Sequence, residues 1–426
     1  MKRTLKCFFA AALAVVVTMT FVGCGVFGAS GESGGREPTK TTINLMSGFS
    51  PSTDGGAVLT DEFTKAYNTF AVKLATKLYD GKNLLISPLS IQIALAMTAN
   101  GAKGDTLGEI EATLFGGQRI STFNGYYKTY IEGLTSGENF KISVADSIWF
   151  RDHERLTVKD GFLQKNADFY NADAYKAPFD RTTLADINGW VDRKTDGLIK
   201  NILDDITESD VLFLLNATCF DAKWAKVFEA EHTSDETFTD EAGAERAVKM
   251  MKGTEYAYLE NDFATGFIKY YSGNRYAFAA MLPQKGNTVA DTLAQLTGEG
   301  LTRYFKNVYG YPTHIKMPKF AVDYDNDIVD ALSALGIRDL FSPAAADLTD
   351  MAESKAGNCY VDMVKHKTAI KVDELGTKAA AATIVGVRDG AVGPEQNTKY
   401  VYLDRPFIYF ILDTLTDTPI FIGTYR

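Results

Sequence analysis

The spacing of apolar and polar positions changes period several times after residue 60, and each change marks an element. Phe63, Tyr67, Phe70, Leu74 and Leu78 recur at helical spacing behind Thr60, a candidate cap, with Asp61 and Glu62 in the first turn. That pattern predicts a helix facing a core. Ser87-Pro88, an apolar body reaching Met97 and then Asn100-Gly101 predict a second helix, capped at Ser87 and stopped by the Asn-Gly pair. Further helical periodicity lies at 107–114, 158–170 and 184–199. Strand patterns lie at 142–150, 211–220, 276–282, 313–317, 369–372, 401–403, 407–412 and 420–424. Val211-Leu212-Phe213-Leu214-Leu215 is apolar on both faces, as a strand covered on each side must be. No repeat period recurs, which excludes a solenoid or propeller. The pattern gives one α+β domain over residues 57–426.

Ahead of that domain the character changes. Lys2, Arg3 and Lys6 precede an apolar run over 8–22 broken only by Thr18 and Thr20. The run is short for a membrane-spanning helix, so residues 1–23 read as a cleaved signal peptide. Val22-Gly23-Cys24 resembles the lipobox of bacterial lipoproteins. This implies a lipid on Cys24 and an exported protein anchored to the outer face of the bacterial cell membrane, with plain secretion as the alternative. Residues 24–56 are rich in Gly, Ser, Thr and Pro and are expected to form a flexible linker.

Composition then removes function classes. The formal net charge of -10 gives no protein-wide attraction to nucleic acid or anionic lipid. Of four cysteines, Cys7 leaves with the signal and Cys24 takes the lipid. Cys219 and Cys359 sit in apolar contexts and are expected as small buried hydrophobes rather than a disulfide. His153, His232, His314 and His366 fall into no metal-binding spacing. There is no nucleophile elbow, phosphate loop or dinucleotide loop, so no catalytic residue, cofactor or metal is expected. Asn216-Ala217-Thr218 has the form of a glycosylation sequon, but its place in a strand favours a structural role.

One segment fits none of these patterns. Val372-Asp373-Glu374-Leu375-Gly376-Thr377-Lys378-Ala379-Ala380-Ala381-Ala382-Thr383 contains an alanine run, which alone would favour helix. It follows a strand pattern and Gly376, and it is trailed by Thr383, Ile384 and Val385, which prefer extended structure.

This segment resembles the reactive-loop hinge of the serpins. Motifs similar to that family follow in its order: Asn83-Leu84-Leu85-Ile86-Ser87-Pro88-Leu89-Ser90-Ile91, Asn188-Gly189-Trp190-Val191, Leu215-Asn216-Ala217-Thr218-Cys219-Phe220, Lys223-Trp224, Met317-Pro318-Lys319-Phe320, His366-Lys367 and Asp404-Arg405-Pro406-Phe407. The resemblance implies a metastable fold of three β-sheets and about eight or nine helices, with an exposed reactive-centre loop over about 374–403. It implies a suicide inhibitor, not an enzyme, whose partner is a serine protease held in a 1:1 covalent complex, the inhibitor itself being a monomer. The implied hinge residues are Glu374, Gly376, Thr377, Ala379, Ala380, Ala381, Ala382 and Thr383.

By the same resemblance Ser87, Ser90, Asn216 and His366 form a polar shutter beneath the centre of the main sheet. Trp224 is the lid at its top, and Lys319 pairs with Glu374. Family spacing puts the reactive bond between Gly390 and Ala391, which suits an elastase-like protease. A bond between Arg388 and Asp389, suited to a trypsin-like protease, is the alternative, and a non-inhibitory binding or carrier serpin is the competing function. The stretch 107–117 carries Glu109 and Glu111 and no basic cluster, so a heparin-type activator is not expected.

Overall fold

The computed structural model describes residues 38–134, 137, 139–152, 156–355, 358–377 and 397–426. Among the described residues nine α-helices surround two seven-stranded sheets, a four-stranded sheet and a two-stranded ribbon, an α+β architecture as the sequence predicts. The signal peptide at 1–23, Cys24, the linker up to residue 37, His153 and the loop residues from Lys378 to Gln396 lie outside the described residues. No helix among the described residues is long and apolar enough to cross a membrane.

The helix Asp61–Leu78 buries Phe63, Tyr67, Phe70 and Leu74 on its inner face. Thr60 occupies the cap position, but its hydroxyl is turned to Tyr126 Oη at 3.2 Å rather than to the helix. Pro88–Ala99 starts on Ser87, whose Oγ accepts the Ser90 N–H, and all its residues are buried. It is therefore a rod through the core rather than a surface helix. The periodic stretch at 158–170 begins its helix only at Asp160, because Leu156–Val158 is a strand of the ribbon. The helix expected over 184–199 runs Arg181–Lys194 instead. Asp180 and Thr183 close a capping box at its start, and Asp196 and Gly197, both at positive φ, turn the chain away after its end.

The first large sheet has the strand order Ile43–Asn44, Asp173–Ala177, Phe140–Arg151, Leu212–Lys223, Gly376–Thr377, Met363–Val372 and Phe320–Asp327. Leu212–Lys223 is its middle strand, and both of its faces are covered. Leu212, Leu214, Phe220 and Ala222 join the main core, whereas Phe213, Leu215, Ala217 and Cys219 join a second core with Ile187, Trp190 and Val191 of the helix Arg181–Lys194. Each large side chain so buried stabilises the sheet by roughly 1.5–3 kcal/mol. Met363–Val372 alternates buried Val364, His366, Thr368 and Ile370 with Lys365, Lys367 and Lys371, so apolarity revealed only its end at 369–372. Cys219 and Cys359 are buried and form no disulfide among the described residues.

The linker expected to remain flexible through residue 56 is instead laid along the body from residue 38 onward. Ile43 and Asn44 pair with Lys176 and Tyr175 at the sheet edge. Asp186 Oδ2 accepts from the Thr39 N–H at 3.0 Å, Thr39 Oγ1 at 2.7 Å and Thr42 Oγ1 at 2.6 Å. The buried Lys128 ammonium donates to the Ser52 and Asp168 carbonyls at 2.8 and 2.9 Å. Leu45, Met46 and Phe49 pack against the main core, but hydrogen bonds supply much of the hold on this otherwise polar segment, which is why its composition resembles that of a linker.

Candidate functional site

The large sheet is divided along its middle. Leu212–Lys223 and Met363–Val372 run parallel and pair from Phe213 opposite Met363 up to Thr218 opposite Thr368. Above that point the strands part, and Gly376–Thr377 enters between their upper ends. Thr377 pairs with Val372 on one side and with Ala222 on the other, where Gly376 meets Lys223.

The small side chains at this entry are required by geometry. A Cβ on Gly376 would lie 2.0 Å from the Ala222 carbonyl oxygen and 2.8 Å from Lys223 Cα, so only glycine fits. Thr377 is fully buried, with Oγ1 2.5 Å from Tyr271 Oη. Tyr271 in turn stacks on Trp224 at 4.4 Å and 11°.

Trp224 holds the turn that feeds the hinge. Its Nε1 donates to the Asp373 carbonyl and its N–H to the Leu375 carbonyl, both at 2.9 Å, while the Phe228 N–H donates to the Glu374 carbonyl at 2.9 Å. Glu374 and Lys319 form an ion pair at 2.7 Å. Burial works to raise the Glu374 carboxyl, but the hydrogen bonds to the ionised form, led by Lys319, hold it below its usual value.

At mid-height a polar chain crosses the sheet. His366 Nε2 accepts the Ser87 N–H at 3.0 Å, so the ring proton sits on Nδ1, which donates to Asn216 Oδ1 at 2.7 Å. Asn216 Nδ2 donates to Asp146 Oδ1 at 2.5 Å, and Ser90 Oγ reaches the same oxygen at 3.5 Å. Burial drives His366 down to about 3, so it is neutral at ordinary pH. Burial also drives the Asp146 carboxyl well above its usual range, against the hydrogen bonds from Asn216 and Ser90.

The structure therefore gathers Ser87, Ser90, Asn216 and His366 into one network and adds Asp146, which sequence reasoning missed. A lone aspartate on an alternating strand carries no motif, and only its register opposite Asn216 reveals it. Because the Asn216 and His366 strands pair here, separating them breaks the bond between those two residues. The chemistry available is mechanical: small residues seated at the head of a slit above a breakable polar lock. Ala379, Ala380, Ala381, Ala382, Thr383 and both candidate bonds, at Gly390 with Ala391 and at Arg388 with Asp389, lie outside the described residues.

The large sheet is parted along its middle, and Gly376–Thr377 pairs with both strands at the head of the parting. The family model for serpin, serine protease inhibitor, matches residues 65–426, and the chain belongs to the serpin family. Native tengpin, a thermophilic serpin, is 40% identical with a TM-score of 0.86, over 90% of this chain and 99% of that one. Its latent state is 38% identical with a TM-score of 0.77, over 87% and 98%. An uncharacterized serpin-like protein of Thermococcus kodakarensis is 28% identical over 96% of this chain and 97% of its own. The leukocyte elastase inhibitor of Equus caballus is 28% identical over 86% and 99%.

Proposed function

We propose that this serpin is a single-use inhibitor that traps serine proteases by loop cleavage, acyl-enzyme formation and strand insertion. The observation that carries the reading is Gly376–Thr377, seated between Val372 and Ala222 at the head of the slit and followed in sequence by Lys378 and four alanines. Cleavage leaves the new carboxyl esterified to the protease serine and frees the new amine on the far side. The hinge is then free to run down the slit with the protease attached. Strand alternation turns Ala379, Ala381 and Thr383 inward with Thr377, and leaves Lys378 with Ala380 and Ala382 on the outer face. About a dozen inserted residues at roughly 1 kcal/mol net per hydrogen bond give on the order of 10 kcal/mol, comparable to the whole stability of an ordinary domain. That free energy makes the intact form metastable and supplies the force that distorts the protease before it can deacylate.

The bond is between Gly390 and Ala391, for an elastase-like enzyme with a small primary pocket. The inhibitor acts as a monomer in a 1:1 covalent complex. It is exported and held at the outer face of the cell membrane through a lipid on Cys24. To test the trap, the chain from residue 24 onward, with Cys24→Ser, is mixed with pancreatic elastase and with trypsin. Denaturing gels and the mass of the released C-terminal peptide are the readouts. The expected result is an elastase band that survives denaturation and a peptide beginning at Ala391. A stable trypsin band with a peptide beginning at Asp389 moves the bond to Arg388. Complete cleavage by both enzymes without a stable band refutes the trap and favours a binding or carrier serpin.

A further inference from the structure

Lys269 is a buried charge outside both the hinge and the polar network at mid-sheet. It lies in the strand Ala264–Tyr270 of the second seven-stranded sheet and is only 2% exposed. Its ammonium donates to Glu255 Oε1 at 2.6 Å and to the Lys226 carbonyl at 2.7 Å. The same Nζ lies 4.4 Å from the centre of the Phe228 ring and 5.4 Å from that of Trp224. Those two buried rings meet edge to face at 6.3 Å and 89°, so one cation serves both. Burial works to lower the ammonium from its ordinary value, and the Glu255 carboxylate works against that. A buried ion pair is commonly no more stabilising than apolar side chains of the same volume. Stability alone therefore gives no reason for a lysine where a methionine would fill the space.

The reason lies in what the two aromatic residues hold. Trp224 and Phe228 donate the hydrogen bonds that grip the Asp373, Glu374 and Leu375 carbonyls, and this turn delivers Gly376 and Thr377 to the head of the slit. Trp224 follows directly on the middle strand Leu212–Lys223 of the first sheet, while Glu255 ends a strand of the four-stranded sheet. One ammonium thus ties three sheets together behind the hinge turn. We propose that Lys269 is a positioning residue for the hinge: through Phe228 and Trp224 its charge keeps the turn at 373–375 in the pose that seats Gly376 and Thr377. Its part in trapping rests on the inhibitor reading above, whereas the seating itself does not. Attraction between a cation and a ring face is strongest away from water, as here. Without the charge the two rings keep their apolar packing but lose what fixes their faces, and the turn opens more often.

Two variants of the uncleaved chain test this. Lys269→Met/Glu255→Gln removes the charge without leaving a carboxylate buried alone. Phe228→Leu removes the nearer ring but keeps the N–H that bonds Glu374. Amide exchange at 373–377, followed by mass spectrometry, is compared with exchange along the central strand Phe407–Asp413. The expected result at 373–377 is about tenfold faster exchange in the double variant and about threefold in Phe228→Leu, with Phe407–Asp413 unchanged. All three changes together are expected to give no more than about tenfold, because they remove one shared contact. The inhibitor:elastase ratio needed for complete inhibition is expected to rise at least about twofold in the double variant. Exchange at 373–377 within twofold of wild type overturns the proposal, and Phe228→Leu decides alone if the double variant does not fold. Equal acceleration at Phe407–Asp413 overturns it in favour of a general loss of stability, and effects that multiply to about thirtyfold overturn the route through the ring. Faster exchange with an unchanged ratio, in a wild type that traps, overturns the part in trapping. A wild type that traps neither elastase nor trypsin refutes the inhibitor reading, and exchange at 373–377 still decides the seating.

Discussion

Thr377→Arg is the substitution on which the insertion account is most exposed. Thr377 is fully buried between Val372 and Ala222, with its hydroxyl 2.5 Å from Tyr271 Oη and the Tyr271 ring stacked on Trp224. A guanidinium here leaves water for an aromatic roof, and the nearby carboxylate of Glu374 is already committed to Lys319. Even after relaxation, burying an unpaired charge costs several kcal/mol. Taking about 3 kcal/mol, insertion slows by roughly a hundredfold. Insertion competes with deacylation, so a delay of that size sends nearly every encounter to hydrolysis. Titrating protease activity against inhibitor then requires a large molar excess, and gels show cleaved protein in place of complex. Thr377→Val supplies the scale, because it keeps the volume and loses one hydroxyl at a cost of about 1 kcal/mol, less than roughly a tenfold effect. An arginine variant that gives the wild-type amount of covalent band refutes the reasoning.

Other consequences follow from the same geometry. Gly376→Val drives a Cβ into the Ala222 carbonyl and expels Gly376–Thr377, so the fluorescence of Trp224, which is bonded to the neighbouring turn, shifts in the uncleaved protein and the complex yield falls. His366→Ala leaves the Ser87 N–H and Asn216 Oδ1 buried without their partner and lowers stability by about 2–4 kcal/mol, read from the urea midpoint. Because His366 is held down to about 3 when folded and titrates near 6.5 when unfolded, the unfolded chain takes up the extra proton between those values. The His366 contribution to stability is thus complete above about pH 6.5 and is lost as pH falls toward 3, and His366→Gln flattens that slope. Asp146 works in the opposite direction, with its contribution lost as pH rises through its raised value, so the difference between wild type and His366→Gln isolates the histidine. Asp186→Ala removes the acceptor of three hydrogen bonds, and amide exchange at Thr39 is expected to accelerate at least about tenfold.

The legible parts of the fold were those where one force dominated. Leu212–Lys223, apolar on both faces, and Asp61–Leu78, with a clean helical stripe, could be read directly. Phe320–Asp327 alternates Phe320, Val322 and Tyr324 with Ala321, Asp323 and Asp325, but only Phe320 and Val322 are fully buried and its second half is polar, so this short edge strand was passed over. Ile120–Gly133 carries Phe123, Tyr127 and Tyr130 at helical spacing, but it also buries Asn124 and Lys128, whose polar partners no local pattern reveals, and that mixture obscured it. The candidate site divides in the same way. The hinge and the Ser87, Asn216 and His366 network were reached through motif resemblance, while Asp146 and the seating of Thr377 against Tyr271 depend on register between strands far apart in sequence. The hold of residues 38–56 on the body was invisible for a related reason, since Asp186 and Lys128 lie far along the chain from the segment they fasten.

The central claim is that the intact protein holds back a strand whose insertion releases free energy. Cleaving the loop with a protease that does not become trapped, and then comparing the thermal unfolding of cleaved and intact protein, measures that release without requiring the physiological target. On the order of 10 kcal/mol raises the unfolding temperature by on the order of 10 °C or more for a domain of this size. A cleaved form that unfolds at the same temperature as the intact one, or below it, contradicts the account.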